Sequence, residues 1–416
     1  MRARLETVAL ALLGLGASVA IALRPGDVQD YRVDAGPSLG PLIHGHPLQA
    51  FSHEPAMGWF AIWIRAPFVW LARHGSELVQ YRVGALVCVL AGTALGLYLA
   101  TRARREGRSL LLAATIVALA TLSPMSWHAL ADGHPEEILG AALCVAAVLT
   151  AADGRRPIVT GIVLGLALAT KQWAILVLGP VLLAAPRKRP TIAAIGIAIA
   201  AAFALIPVLA SDHSLVAPAN IAGATRTIKP ASIWWPFGET HQLHLVAGWT
   251  VEQHVLPQWL SNLTHPLIVL TGFALPAAYA IAKRRSRASL EDALTLLTLL
   301  FLLRCLLDPM TVGYYHVPML FSLLALEATR KRGLPLLTLL ATGVLWLLVT
   351  RLRWGLEPGR VATIYLAWAL PMTAYLGLRL YAPRVVSCLE KWLRISAPSS
   401  VTTTRSSIRT PNAPGM

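Results

Sequence analysis

The chain has 416 residues, 56% of them hydrophobic and 13% charged, and its 36 Lys and Arg outnumber its 20 Asp and Glu to give a formal net charge of +16. With a mean hydropathy of +0.60, this composition excludes an ordinary soluble domain and describes a polytopic helical membrane protein. The charge is not a nucleic-acid surface, because Arg and Lys collect in short clusters at the ends of apolar runs, where membrane topology wants them.

In chain order, apolar runs predict helices over 5–23, 81–100, 109–123, 137–152, 157–170, 173–186, 191–210, 264–282, 290–307, 315–328, 334–350 and 361–380, an all-α bundle of about twelve transmembrane helices. The first run, behind a basic tip, is read as a retained span and not as a cleaved leader. Placing the N-terminus in the cytoplasm makes every basic cluster cytoplasmic: Arg102 to Arg108, Arg155/Arg156, Arg187 to Arg189, Lys283 to Arg287 and Arg330 to Arg332. The outer side then holds loops 24–80, 124–136, 211–263, 308–314 and 351–360, and every histidine falls in or beside them. Two Trp-rich stretches of these loops, Ala56 to Leu71 and the 211–263 segment, are expected to lie in the outer headgroup layer as interfacial elements. The membrane domain thus covers 1–395. The Ser/Thr/Pro-rich tail 396–416 is expected to be disordered and cytoplasmic, so that both termini of a multi-pass plasma-membrane protein lie inside. The four cysteines sit in or beside apolar segments without metal or redox spacing and read as packing residues.

Four polar constellations stand out against this background. Asp27 and Asp30, in the stretch Gly26 to Tyr31 where the first span ends, are either a general base for an acceptor hydroxyl or the cap of the next helix; Asp34, a turn further on, reads as structural. His128, Asp132, His134 and Glu136, with Glu137, crowd the start of the fourth span, where they either hold a sugar through hydrogen bonds or cap the helix; the spacing is poor for a metal, and none is assigned. Lys171 lies between two short apolar runs. A cation at membrane depth costs roughly 2.5–3.5 kcal/mol, so it either faces an anion, with a lipid-linked phosphate the natural partner, or snorkels to the headgroups. Arg304 either clamps a phosphate or pairs with Asp308 at i+4, and Tyr315 and His316 either contact a sugar or polyprenyl chain or form part of an aromatic belt.

Several of these stretches resemble the GT-C membrane glycosyltransferases, in particular bacterial mannosyltransferase-like families such as glycosyltransferase family 87. The similar pieces are Asp27 to Tyr31 leading into Gly45-His46-Pro47-Leu48, Phe51 to Pro55, Gly165 to Lys171, and Pro309 to His316. His53-Glu54-Pro55 stands where relatives often carry Tyr-Pro-Pro. The resemblance implies a GT-C-like bundle with its active site at the outer face, transferring a sugar, mannose or another hexose or pentose, from a polyprenyl-phosphate donor to a glycan or glycolipid hydroxyl. It implies Asp27 as base with Asp30 its close competitor, and Lys171 and Arg304 on the donor phosphate. His128, Asp132, His134, Glu136, Tyr315 and His316 would then serve the sugar or acceptor. Beyond membrane lipid, the lipid-borne sugar and the glycan or glycolipid acceptor no partner or organic cofactor is implied, and a divalent ion is left open. The competing readings are a secondary transporter, which would place polar residues at mid-membrane in matched halves, and a noncatalytic lipid-binding subunit.

Overall fold

The computed structural model describes residues 2–26, 28–53, 55, 57–210, 226–244, 250–283, 288–330, 333–352 and 355–388. Its first part comprises helices Arg2–Ala22 (α1), Gln29–Asp34 (α2), Gly36–Ile43 (α3), Pro47–Phe51 (α4), Trp59–Leu71 (α5), Glu77–Arg105 (α6), Leu110–Leu122 (α7), Pro124–Ala131 (α8), Glu136–Asp153 (α9), Pro157–Leu168 (α10), Leu178–Ala184 (α11) and Arg189–Ala210 (α12). A two-stranded hairpin, Glu239–His244 (β1) and Thr250–Val255 (β2), precedes Gln258–Ala282 (α13), Leu290–Leu307 (α14), Val317–Thr329 (α15), Leu336–Trp346 (α16) and Pro358–Tyr381 (α17).

At the centre, α9, α14 and α15 pack on one another and are buried on nearly every face. Around them stand helices with apolar outer faces: Leu12 and Leu13 of α1, Leu209 of α12 and Leu340 of α16 are all exposed in the isolated chain. Such surface is stable only against lipid, where a helix satisfies its own backbone.

Among the described residues six helices are long and apolar enough to cross a membrane, where the sequence predicts about twelve. Part of the difference has a chemical cause. The central α9 and α14 each have 18 residues, but α9 carries Glu136, Glu137 and Asp153 and α14 carries Glu291, Asp292 and Arg304. Other predicted spans, such as Pro157–Leu168 and Gln172–Ala184, are simply short.

The two ends of the bundle differ. At one, Glu6 pairs with Arg104, Arg108 donates to the Ala328 carbonyl at 2.7 Å, and Glu291 takes both Arg330 and Arg379. Ser289 and Asp292 form a capping box at the start of α14 there, and Glu327 accepts the Thr338 amide at 2.8 Å. The other end gathers α2 to α5, α8, the hairpin and residues 308–316.

The two segments read from the sequence as interfacial are packed on the bundle. The α5 helix packs against α6, and its Arg65 is completely buried instead of reaching the headgroups. The segment 226–257 contains the hairpin, with Glu239 opposite Val255, and is docked on the end of α14. Lys229 donates its amide to the Pro309 carbonyl (2.8 Å), Ile233 to Leu306 (3.0 Å), and the Trp234 indole to Leu307 (2.6 Å). The predicted tail, 396–416, lies outside the described residues.

Candidate active site

The site begins with a broken helix. After α10 the backbone turns extended at Lys171 (φ −154°, ψ 145°) and resumes as a 3₁₀ turn over Gln172–Val177. A break among packed helices strands carbonyls that need partners. Gly58 and Phe60, at the start of α5, supply them: the Gly58 amide donates to the Thr170 carbonyl (2.8 Å) and the Phe60 amide to Ala169 (3.0 Å). The strands of chain run so close here that a Cβ on Gly58 would lie 2.1 Å from the Ala169 oxygen.

A second junction, between α8 and α9, is made by Gly133 in the left-handed region (φ +90°). A side chain there would be strained and would also press on the Tyr31 amide at 2.9 Å. Its absence lets α2 dock against the turn. Asp30 and Asp34, one helical turn apart on α2, then face His134 Nε2 at 3.4 and 3.8 Å. Tyr31 between them packs on Tyr81, with ring centres 5.2 Å apart.

Beyond His134, the first turn of α9 turns its carboxylates inward. A helix N-terminus favours negative charge, but here the compensation comes chiefly from side chains. Glu136 accepts from His134 Nδ1 (3.0 Å) and faces Lys171 Nζ (3.1 Å) and Arg65 Nη1 (3.9 Å). Glu137 accepts from the Trp173 indole (3.1 Å) and faces Lys171 Nζ (3.7 Å) and Arg304 Nη1 (3.9 Å). None of these ionisable side chains belongs to a residue more than 8% exposed, so they form a buried network, not solvated helix caps. Arg304 lies under the Tyr315 ring (4.4 Å) and near Trp173 (5.1 Å) and donates to the Tyr315 carbonyl (3.2 Å). Asp308, the i+4 partner considered for it, accepts the Met310 amide at 2.9 Å.

The network borders a cavity of about 430 Å³. Lys171, Arg304, Glu137, Asp34 and His134 give it a polar wall, and Ile175, Leu176, Ile268 and Val269 an aliphatic one. Tyr314, stacked on His134 with centres 4.7 Å apart, and Tyr315 complete it. Burial pulls the His134 pKa down, but the hydrogen bond and charge of Glu136 more than offset this and leave it above its ordinary value near 6.5. Burial raises the Asp34 carboxyl, against the opposing pull of His134 and Lys171. Lys171 and Arg304 at the cavity wall, interleaved with Glu136 and Glu137, together with Asp34 beside the His134 imidazole, suit a ligand that carries an anionic group and gives up a proton.

Of the residues singled out in the sequence, Asp30, His134, Glu136, Lys171, Arg304 and Tyr315 come together here. Asp27 lies outside the described residues; the carbonyl of Pro25, just before it, is clamped by Arg82 at 2.7 and 3.1 Å. His128 and Asp132 pair with each other at 2.8 Å, with His128 6.2 Å from Tyr314 by ring centres. His316 lines a different cavity. Of the other residues of the wall, the sequence reads Glu137 as holding a sugar or capping the helix and Asp34 as structural, while Trp173 is not singled out. The two neighbours of Lys171 and Glu136 were within reach of such a reading, since a buried charge wants more than one polar partner.

The sequence profile described as Glycosyltransferase family 87 matches residues 58–309. That span takes in Arg65, His134, Glu136, Glu137, Lys171 and Arg304 and stops short of Asp30, Asp34 and Tyr315. No curated protein and no solved structure matches the chain.

Proposed function

The chain belongs to glycosyltransferase family 87, and from that premise we propose that it moves a sugar from a polyprenyl-phosphate donor to an acceptor hydroxyl at the extracytoplasmic face of the plasma membrane. The observation that carries this reading is the pairing, in one cavity, of Lys171 and Arg304 with an aliphatic wall. The donor phosphate meets the two cations, and the prenyl chain runs along Ile175, Leu176, Ile268 and Val269. Glu136 and Glu137 hold the cations in position before the donor arrives.

In the transfer, the acceptor oxygen forms a bond to the anomeric carbon as the carbon–oxygen bond to phosphate breaks. Polyprenyl phosphate leaves with the electron pair, stabilised by Lys171 and Arg304, and the acceptor proton passes to a first-loop carboxylate, Asp27 or Asp30. Attack from the face opposite the phosphate inverts the anomeric centre. His134, close to Asp30 and Asp34, orients that carboxylate group. His128, Asp132, Tyr315 and His316 serve the sugar or acceptor. The donated sugar is a hexose such as mannose, or a pentose.

The same reading takes the basic end of the bundle as cytoplasmic, with about twelve passes once the short and charged helices are counted as spans.

The test is transfer from a radiolabelled polyprenyl-phosphate sugar by Asp27→Asn and Asp30→Asn. Loss of the base lowers turnover by roughly 10²–10⁴-fold, with binding of farnesyl phosphate retained. If both variants turn over as the parent does, the first-loop carboxylates are not the base.

A further inference from the structure

A second cavity, of about 420 Å³, lies on the far side of the 313–316 turn from the first. The turn is a shared wall: Tyr314 and Tyr315 face the first cavity, Gly313 and His316 the second. It has no room to thicken, since a Cβ on Gly313 would meet Val349 at 2.8 Å and His128 at 3.3 Å.

The two cavities differ in charge. The first holds two cations, Lys171 and Arg304, set among the carboxylates of Asp34, Glu137 and Asp308, whereas the second has, among the described residues, a single cation, Lys229, with Glu252 as its one carboxylate. Its rim is a stacked pair, Trp235 on His254 with ring centres 4.0 Å apart, flanked by Gln253. An aromatic face beside amide and carboxylate groups suits a polyhydroxylated ring, whose C–H face packs on the aromatic and whose hydroxyls find acceptors.

Below the rim the cavity becomes apolar, lined by Leu345, Leu348, Val349 and Val361. Here the helix that follows α16 takes a π-helical course over Leu347–Leu352. Such wide turns cost stability and recur where a helix is shaped around a site. At the inner wall, His316 Nε2 and the Tyr365 hydroxyl are hydrogen-bonded at 2.9 Å, and His316 Nδ1 is 3.1 Å from the Gly313 carbonyl. With Nδ1 donating to that carbonyl, Nε2 accepts from Tyr365, whose oxygen retains a lone pair for a ligand hydroxyl.

We propose that this second cavity binds the acceptor, a neutral amphiphile with a sugar head at the Trp235–His254 rim and an apolar body against Leu348 and Val361, and that it presents its hydroxyl across the 313–316 turn. The proposal rests on the first cavity's being the donor site.

The experiment uses the full chain in nanodiscs of neutral phospholipid, with a dodecyl maltoside carrying a diazirine in its alkyl chain as neutral probe and farnesyl phosphate as anionic probe. Photolabelling is expected on peptides containing Leu348 or Val361, undiminished by excess farnesyl phosphate. Leu348→Trp and Val361→Trp fill the apolar part, and Trp235→Ala removes the platform; each is expected to lower labelling about tenfold or more while farnesyl phosphate binding stays at the parental level, which also reports that the variant is folded. Labelling at Ile175 or Ile268, or labelling indifferent to all three substitutions, as for a probe dissolved in the surrounding lipid, overturns the assignment. Failure of farnesyl phosphate to bind the parent in a Lys171-dependent way sinks the donor-site reading instead, whatever the glycoside does.

Discussion

The most exposed ion pairs of the basic end and the most buried ones of the other end are made of the same residue types and have opposite surroundings. At the basic end, Arg102–Glu106 and Arg155–Asp153 have side chains between 37% and 84% exposed. At the other end, Arg65–Glu136, Lys171–Glu136 and Arg304–Glu137 have side chains no more than 10% exposed. An exposed pair contributes little and can be placed for topology alone, whereas each buried ion loses several kcal/mol of hydration, which only close partners offset. A protein that needed only to sit in the membrane has no use for the second kind. Their concentration at one end is the reason for proposing that chemistry is done there.

That contrast is broken most directly by removing the cation common to both carboxylates. Lys171→Met leaves Glu136 and Glu137 without their shared partner and is expected to lower stability by about 3–5 kcal/mol as well as abolish transfer. Thermal unfolding in detergent checks the first effect, and adding Glu136→Gln to the same chain should recover part of the lost melting temperature. An undiminished melting temperature for Lys171→Met would mean that the network is far wetter than its burial implies.

Next in size is the backbone seam beneath that lysine. Gly58→Ala forces a methyl group onto the Ala169 carbonyl, and overpacking of this kind costs about 1–3 kcal/mol. Gly343→Ala, where nothing lies within 4 Å of the added carbon, is the matched control. Equal melting temperatures for the two variants would show that the seam yields easily.

His134 sharpens the comparison through pH. Its pKa is raised in the folded chain, so the stability it contributes is fully present below its ordinary value near 6.5 and is lost as pH rises through the raised value. Unfolding temperature and transfer rate should therefore both decline on the alkaline side, and His134→Gln should flatten that decline. A variant with an unchanged alkaline limb would assign the titration to another group. At the basic end the expected effects are smallest: Arg155→Ala should change stability by no more than about 0.5 kcal/mol, read by the same thermal assay.

How much of this was legible in the sequence follows from the same physics. Lys171, Arg304, His134 and Glu136 stand out because an ionisable group amid apolar residues demands a partner, and the partners proved to be one another and their neighbours. The identity of those neighbours was hidden. Arg65 interrupts an aromatic run that reads equally well as an interfacial helix, and only packing on α6 shows that its guanidinium points to Glu136. Asp34 repeats the face of Asp30 one turn later, but whether that face meets a turn or water depends on Gly133 and its unusual φ. The hairpin was missed because Glu239–His244 and Thr250–Val255 lack the alternation of apolar and polar residues that marks a half-buried strand. The central helices were legible as helices. Their charges Glu136, Glu137 and Arg304, which the sequence leaves open between ligand contacts and caps or local pairs, lie in one buried network.

Those charges also bear on how the chain is made. A segment such as α9, entering the bilayer with Glu136 and Glu137 on its leading turn, is a poor candidate for insertion by itself. Arg65 has been synthesised before it and Lys171 emerges soon after, so its carboxylates have one counter-ion waiting and a second close behind. Arg304 comes late, on another segment that cannot easily enter unaided, and finds Glu137 already in place. The residues proposed to hold the ligand would thus also give biogenesis an order, in which each reluctant helix meets a partner already made or soon to follow.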